Sequence, residues 1–147
     1  MTVPDESLKL KNQLCFPLYA AARQVVGLYT PHLKPLDLTY TQYLVFLALW
    51  EEDHQTVGAL CDKLYLDSGT LTPLLKRLEA AGRIVRTRSA ADERVVVVSL
   101  TEAGRALKQQ AAEIPGAIAA CVPLEPAEGH ALYTLLYKLL AKEETPS

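Results

Sequence analysis

The sequence predicts a mainly α-helical fold that carries one small β-hairpin. Apolar residues recur at helical spacing along most of the chain, and β-branched residues form only two short runs, at 84–87 and 95–100. Residues that favour helix N-termini precede the helical segments. With 147 residues, half of them hydrophobic, the chain suffices for one domain with a core. We therefore expect a single domain over residues 1–147.

The first predicted helix lies within residues 7–30. One stripe of it is formed by Leu10, Leu14, Leu18, Ala21, Ala22, Val25 and Val26. Because proline is tolerated best in a first helical turn, Pro17 indicates that the regular helix begins near Cys15–Pro17. Pro31 and Pro35 then predict a loop.

Two further helices carry clear start signals. Thr39, followed by Gln42, resembles a capping box and opens a helix that ends at Trp50. Thr56 caps a short helix to about Leu64.

The next predicted helix covers residues 68–80, with Asp67 or Ser68 as its cap. Its apolar face repeats at i, i+3, i+4 and i+7 through Leu71, Leu74, Leu75 and Leu78. Gly82 is a natural C-terminal stop. The two β-branched runs come next as a hairpin, joined by a polar loop at 88–94.

The C-terminal part is predicted to be helical again. Thr101 caps a helix through Glu113, and the proline residues Pro115, Pro123 and Pro126 interrupt the segment after that helix. A last helix runs from about Pro126 to Lys142.

A helix, a tight turn, a second helix and a hairpin form the order of a winged helix-turn-helix, here in residues 39–100. The flanking helices, within 7–30 and 101–143, have broader apolar faces than one small domain buries. We therefore expect them to be dimerisation helices that pack against a second copy in a homodimer. The alternative is a plain helical bundle with an added hairpin.

Charge is unevenly distributed along the chain. The formal net charge is −2, yet residues 76–94 carry +3, so the remainder carries −5. A basic stripe on an acidic body suits contact with a nucleic-acid phosphate backbone. The alternative is a solvated charged face.

Helix 68–80 is the candidate recognition helix. Its predicted exposed positions are Ser68, Thr70, Thr72, Lys76 and Arg77. Small hydroxyls near a helix N-terminus approach phosphates and base edges closely. Pro73 either offers an apolar surface to a thymine methyl group or is simply tolerated in an early turn.

Three arginines, Arg86, Arg88 and Arg94, lie on or beside the predicted hairpin. A narrow DNA groove attracts an inserted arginine through its concentrated negative potential. Asp92 is two residues from Arg94 and is placed to brace its guanidinium.

The stretch LDSGTLTPLLKRLEAAGRIVRTRSAADERVVVVSLTEAG resembles the DNA-binding core of the MarR family of transcription regulators. Its DER step (Asp92–Arg94) resembles that family's wing motif, and VSLTEAG resembles its strand-to-helix junction. The resemblance implies an obligate dimer on double-stranded DNA with a near-palindromic operator.

The segments LCFPLYAAARQV, GLYTPHL and LTYTQYLV resemble the organic-hydroperoxide-sensing branch of that family. The resemblance implies that Cys15 is the redox sensor and that Tyr29 and Tyr40 hydrogen-bond to it. A helix N-terminus favours the reactive thiolate. Phe16 and Tyr19 give the thiol an apolar surrounding that suits alkyl or lipid hydroperoxides.

The resemblance also places Cys121 where two-cysteine members carry a resolving thiol that closes a disulfide between subunits. One-cysteine members use a small thiol instead, and both alternatives remain open. Cys61 is interpreted as structural.

Three other functions are alternatives. A MarR-like regulator can bind a small aromatic ligand, for which Tyr19, Tyr29, Tyr40 and Tyr43 offer a lining. A thiol peroxidase enzyme using Cys15 leaves the basic segment without a role. A metal sensor is disfavoured because His32, His54 and His130 are scattered, so we expect neither a metal nor a cofactor. Without a signal or membrane-spanning run, the chain is predicted to be cytoplasmic.

Overall fold

The computed structural model describes residues 5–141, which form seven α-helices and one three-stranded antiparallel sheet. In chain order the elements are α1 (Cys15–Leu33), α2 (Tyr40–Glu51), β1 (Gln55–Thr56), α3 (Val57–Leu64), α4 (Ser68–Ala80), β2 (Ile84–Arg88), β3 (Val96–Leu100), α5 (Glu102–Ala111), α6 (Ile114–Cys121) and α7 (Pro126–Leu140). Short 3₁₀ turns precede α1 and α2. Residues 142–143, the end of the expected dimerisation range, lie outside the described residues.

The predicted helix starts are confirmed at atomic detail. Thr39 accepts a hydrogen bond from the Gln42 amide, and the Gln42 side chain accepts one from the Thr39 amide, which completes the capping box. Thr56 and Thr101 cap α3 and α5 through their side-chain hydroxyls, which accept hydrogen bonds from the amides of Ala59 and Gly104. Asp67 rather than Ser68 caps α4. These caps satisfy amides that have no partner inside a helix.

The sheet contains one strand more than the expected hairpin. Its order is β1-β3-β2, and β1 pairs Gln55 with Val98 and Thr56 with Val97. The hairpin itself pairs Ile84 with Leu100 at its base. Two residues are too few to show strand periodicity, which is why the sequence did not reveal β1.

The expected loop at Pro31 was wrong, because α1 continues through that proline to Leu33. Pro31 stands in the last turn, so it removes a single helical hydrogen bond, the one to the carbonyl of Gly27. Leu33 is buried in the core and holds the end of the helix in place. The predicted start of α1 near Cys15 is confirmed.

The region after Thr101 also differs from expectation. The helix predicted to reach Glu113 ends at Ala111, and a separate helix, α6, begins at Ile114. Pro115 lies in the first turn of α6, where its missing amide costs nothing, so it starts a helix instead of interrupting one.

The hydrophobic core is concentrated in residues 39–100, called the winged lobe below, and in the junctions of this lobe with α1, α5 and α6. Phe46, Leu60, Leu71, Leu75 and Val98 are fully buried there. By contrast, α1 contributes only Leu33 to the core, and α7 contributes no buried residue. Large apolar side chains on these two helices are exposed, and they include Phe16, Leu18, Tyr19, Leu132, Tyr133, Leu135, Tyr137 and Leu139. A single chain therefore leaves much apolar helix surface uncovered.

None of the helices within residues 5–141 combines the length and apolar character needed to cross a bilayer.

Candidate DNA-binding surface and cysteine sensor

Helix α4 presents a polar face with a firmly anchored opposite side. Leu71, Leu75 and Leu78 are buried, so the rotation of the helix about its axis is fixed. Ser68, Thr70, Lys76 and Arg77 are exposed, as predicted, and Pro73 is exposed as well. The prediction for Thr72 was wrong, because its side chain is half-buried. The amide of Thr70 bonds to Asp67 Oδ1 at 2.7 Å and lowers the pKa of that carboxyl group. The first turn of α4 is therefore capped by a charged side chain.

The loop between β2 and β3 carries the exposed arginine that the sequence singled out. The side chain of Arg94 is 91% exposed, and its Nε donates to Asp92 Oδ1 at 3.2 Å, as predicted. The Arg94 amide, and after it the guanidinium, lowers the pKa of Asp92. Arg88 Nη1 donates to the carbonyl of Glu93 at 2.7 Å and holds the loop closed. Arg94 is thus displayed outward on a constrained loop.

Arg86 lies in a different environment from the other two wing arginines. Its side chain is largely covered, and its Nη2 donates to Glu79 Oε1 at 3.0 Å while its amide donates to Glu79 Oε2 at 2.9 Å. These hydrogen bonds from the Arg86 side chain and amide lower the pKa of Glu79. Arg86 therefore ties the wing to α4. It also lines an open groove of about 480 Å³ with Thr56, Thr72 and Arg94.

Arg83 is a basic residue whose side chain has a structural contact, so its charge alone does not indicate a role in DNA binding. It belongs to the basic stripe, yet its guanidinium donates to the carbonyls of Leu36 and Asp37 at 2.7 and 3.2 Å. It thereby fastens the turn before α2 to the end of α4. The exposed cations left for phosphates are Lys76, Arg77, Arg88 and Arg94.

Cys15 is the first residue of α1 and is exposed. The amides of a first helical turn have no partner inside the helix, so they offer positive potential to a thiolate. Phe16 and Tyr19 are also exposed beside it, and Tyr19 stacks under the guanidinium of Arg23 at 5.4 Å. The thiol therefore lies on open, partly apolar surface in the single chain.

Tyr29 and Tyr40 come together, but far from Cys15 of the same chain. Their ring centroids are 4.7 Å apart, and Tyr43 packs behind both. Burial raises the pKa of Tyr29, and burial with the neighbouring Tyr29 hydroxyl raises the pKa of Tyr40, so both stay protonated hydrogen-bond donors at neutral pH. Cys15 and Tyr29 are separated along α1 by about 21 Å of helix rise. No side-chain rotation closes that gap to hydrogen-bond length.

The other two cysteines occupy contrasting positions. Cys121 is the last residue of α6 and is exposed, whereas Cys61 is half-buried against the core of the lobe, in agreement with a structural role. All three cysteines are free thiols.

Two connections were not apparent from the sequence. The sequence indicates only that Glu79 is acidic, whereas the structure shows that its carboxylate pairs with the Arg86 guanidinium. Trp50 received no role, yet its indole Nε1 donates to the carbonyl of Gly104 at 3.0 Å and so joins α2 to the first turn of α5. Arg86 follows Glu79 by seven residues across the chain reversal at Gly82, and Gly104 follows Trp50 by 54 residues, so no helical or strand spacing indicates these contacts.

Comparison with known proteins agrees with this architecture. Residues 27–111 match the family model described as transcriptional regulator SarA/Rot. The chain is 49% identical to the organic hydroperoxide resistance transcriptional regulator of Bacillus subtilis, over 93% of this chain and 96% of that protein. It is 46% identical to the regulator SarZ of Staphylococcus aureus, over 74% of each chain.

Solved structures give the same picture. The structure of reduced AbfR bound to DNA is 39% identical, covers 92% of this chain and 94% of its own, and superposes with a TM-score of 0.77. AbfR of Staphylococcus epidermidis has also been solved in a disulfide form, with a TM-score of 0.64 to this chain.

The fold is that of a winged helix-turn-helix transcription regulator of the MarR type, and the relatives and fold neighbours of the chain are transcription regulators and not enzymes. Within that class, the chain belongs to the family of organic hydroperoxide resistance regulators.

Proposed function

We propose that this chain forms a homodimeric repressor that binds a near-palindromic operator and releases it when Cys15 is oxidised by an organic hydroperoxide. The observation that carries the proposal is the exposed Cys15 in the first turn of α1, in a chain 49% identical to a hydroperoxide resistance regulator. The three AbfR structures, in reduced, overoxidized and disulfide-formed states, support a redox response in a relative.

The chemistry uses the protein's own thiols and the peroxide. The Cys15 thiolate attacks the terminal oxygen of the hydroperoxide, so that a sulfur–oxygen bond forms as the oxygen–oxygen bond breaks. The cysteine becomes a sulfenic acid, and the peroxide leaves as the alcohol after taking up a proton. The Cys121 thiol, or a small thiol, then attacks the oxidised sulfur, forms a disulfide and releases water.

The tyrosine pair completes this sensor only across a dimer interface. Because Tyr29 cannot reach Cys15 of its own chain, the phenol hydroxyls that bond to a given thiol come from the partner subunit. The exposed apolar faces of α1 and α7 supply the surface for such pairing. We assign residues 7–30 and 101–143 to dimerisation and residues 39–100 to DNA binding.

On DNA, α4 enters the major groove and the β2–β3 loop reaches the adjacent minor groove. Ser68, Thr70, Thr72 and Pro73 then meet phosphates and base edges, Lys76, Arg77 and Arg88 meet phosphates, and Arg94 is inserted into the narrow groove. The Asp92 contact orients Arg94 for that insertion.

The test is DNA binding by the reduced protein before and after addition of cumene hydroperoxide, with a non-reducing gel in parallel. We expect the wild type to lose binding, Cys15→Ser to resist, and a cross-linked dimer to form only when Cys121 is present. Cys61→Ser is the matched control and should respond like the wild type. A wild type that binds DNA yet ignores the peroxide contradicts the proposal and directs attention to a small aromatic ligand as the signal.

A further inference from the structure

A third tyrosine stands behind the proposed sensor pair. The ring of Tyr43 lies 5.7 Å from that of Tyr29 and 6.4 Å from that of Tyr40, measured between centroids. Tyr40 and Tyr43 are neighbours on one face of α2, whereas Tyr29 comes from α1. Tyr43 therefore contacts both members of the pair and joins the two helices that carry them.

Tyr43 is more deeply buried than the two tyrosines that it contacts. It is only 3% exposed, while Tyr29 and Tyr40 are half-buried. Trp50 packs edge-on against the Tyr43 ring at 6.4 Å, and the Trp50 indole is itself fixed by its hydrogen bond to the Gly104 carbonyl. A buried ring with support on its far side limits the orientations that the two outer rings can adopt.

The orientation of the Tyr29 and Tyr40 rings matters because a hydrogen bond from either hydroxyl weakens steeply as its angle and length depart from the optimum. A tyrosine ring that turns about its side-chain torsions moves its hydroxyl by several ångströms, enough to lose a bond to sulfur. The electrostatics agree with this packing: burial first, and then the hydroxyls of Tyr29 and Tyr40, raise the pKa of Tyr43. The three phenols thus form one neutral cluster.

We propose that Tyr43 is a positioning residue of the cysteine sensor, holding the rings of Tyr29 and Tyr40 where their hydroxyls meet the Cys15 thiol of the partner subunit. The inference rests on the proposed function and adds a residue that does not touch the sulfur. Its aromatic ring, and not its hydroxyl, does the positioning.

The test compares Tyr43→Leu with Tyr43→Phe in full-length protein whose Cys61 and Cys121 are replaced by serine, so that Cys15 is the only thiol. The measured quantities are the rate of thiol loss in cumene hydroperoxide across pH 5–9 and the operator affinity of the reduced protein. Without the ring, we expect the oxidation rate at neutral pH to fall about tenfold, which corresponds to the loss of roughly one hydrogen bond to a charged group. At higher pH we expect the rate to recover. Tyr43→Phe should restore the rate, and reduced operator affinity should change little in either variant.

Phe46→Leu is the matched control. Phe46 is fully buried on the same helix and packs on Trp50 at 5.6 Å, but within residues 5–141 no ring contact joins it to Tyr29 or Tyr40. It should destabilise the fold comparably and leave the oxidation rate unchanged. If Tyr43→Leu does not fold, Tyr43→Met preserves more core volume and takes its place.

Three results overturn the inference: an unchanged rate and pH profile in the ringless variant, equal slowing by Phe46→Leu, or slowing by Tyr43→Phe as large as by Tyr43→Leu. These differ from failure of the proposed function itself, in which the parent protein with Tyr43 intact keeps its Cys15 thiol in hydroperoxide.

Discussion

Arg94 and Lys76 are both exposed cations of the winged lobe, but they are expected to act differently on DNA. Arg94 is aimed by Asp92 and suits insertion into a narrow groove, whereas Lys76 is a flexible point charge suited to a phosphate.

Replacing Arg94 with alanine should weaken operator binding about tenfold or more and erase the preference for a narrow central groove. Lys76→Ala should weaken binding to all sequences alike and reduce the slope of log affinity against log salt by about 1. Fluorescence anisotropy at several salt concentrations measures both. Unchanged binding by Arg94→Ala shows that the wing assignment is wrong.

The Glu79–Arg86 pair predicts a pH dependence. Because the pKa of Glu79 is lowered in the folded protein, its stabilisation is fully present above the unfolded value of about 4.3 and is lost as pH falls through the lower folded value. Glu79→Gln should therefore be less stable than the wild type at pH 7, and the difference should shrink towards pH 3. Urea unfolding at the two pH values measures it, and a pH-independent difference contradicts the assigned cause.

The sequence revealed some residue contacts and not others for a simple reason. Asp92 and Arg94 are two residues apart in a loop, so their contact is local and was predicted. Glu79 and Arg86 face each other only because the chain reverses at Gly82 between them. The Tyr29–Tyr40 contact depends on how α1 crosses α2, which spacing in the chain does not encode.

Among the secondary-structure elements, those with a cap and a repeating apolar face were predicted within a few residues. Each of these helices begins after a capping residue whose side chain accepts a hydrogen bond from an otherwise unpaired helix amide. The capping residues are Thr39, Thr56, Asp67 and Thr101. Strand β1 was missed because it is defined by its pairing with β3 and has no sequence periodicity of its own. Helix α6 was missed because the proline in its first turn, Pro115, resembles a helix break.

The junction between the wing and α5 depends on a close backbone crossing at Gly104. A Cβ atom there would lie 2.1 Å from the carbonyl oxygen of Arg83, which is backbone and cannot rotate away. Gly104→Ala should lower the free energy of unfolding by about 1–3 kcal/mol or more, as overpacking does. Urea unfolding monitored by circular dichroism provides the measurement.

Gly58→Ala is the matched control for that substitution, since a Cβ in this first turn of α3 meets only an ordinary contact at 4.0 Å. It should leave stability nearly unchanged or slightly raised. Equal effects from the two alanines show that the close approach at Gly104 is not the cause.

At the scale of the whole molecule, we expect a charge placed on the exposed apolar surface of α1 or α7 to abolish assembly and DNA binding together. Leu135→Glu places a charge on the exposed apolar face of α7 and should convert the proposed dimer to a monomer, with operator affinity reduced by at least tenfold. Val85→Glu, on an exposed apolar position of β2, should remain dimeric. Sedimentation velocity distinguishes the two, and a dimeric Leu135→Glu removes α7 from the interface.

The candidate sensor residues do not come together within one chain. In the proposed homodimer, the Cys15 thiol at the start of α1 meets the phenols of Tyr29, near the end of α1, and Tyr40, at the start of α2, from the other subunit.

The indole that joins α2 to α5 has an optical consequence. Trp50 is the only tryptophan in the chain, so excitation at the long-wavelength edge of the aromatic absorption band selects one side chain of known position. That position touches the phenol cluster on one side and the Gly104 carbonyl on the other. The protein thus contains an intrinsic fluorophore at the contact between α2 and α5, and its emission can be followed during hydroperoxide treatment or DNA titration without attaching a dye.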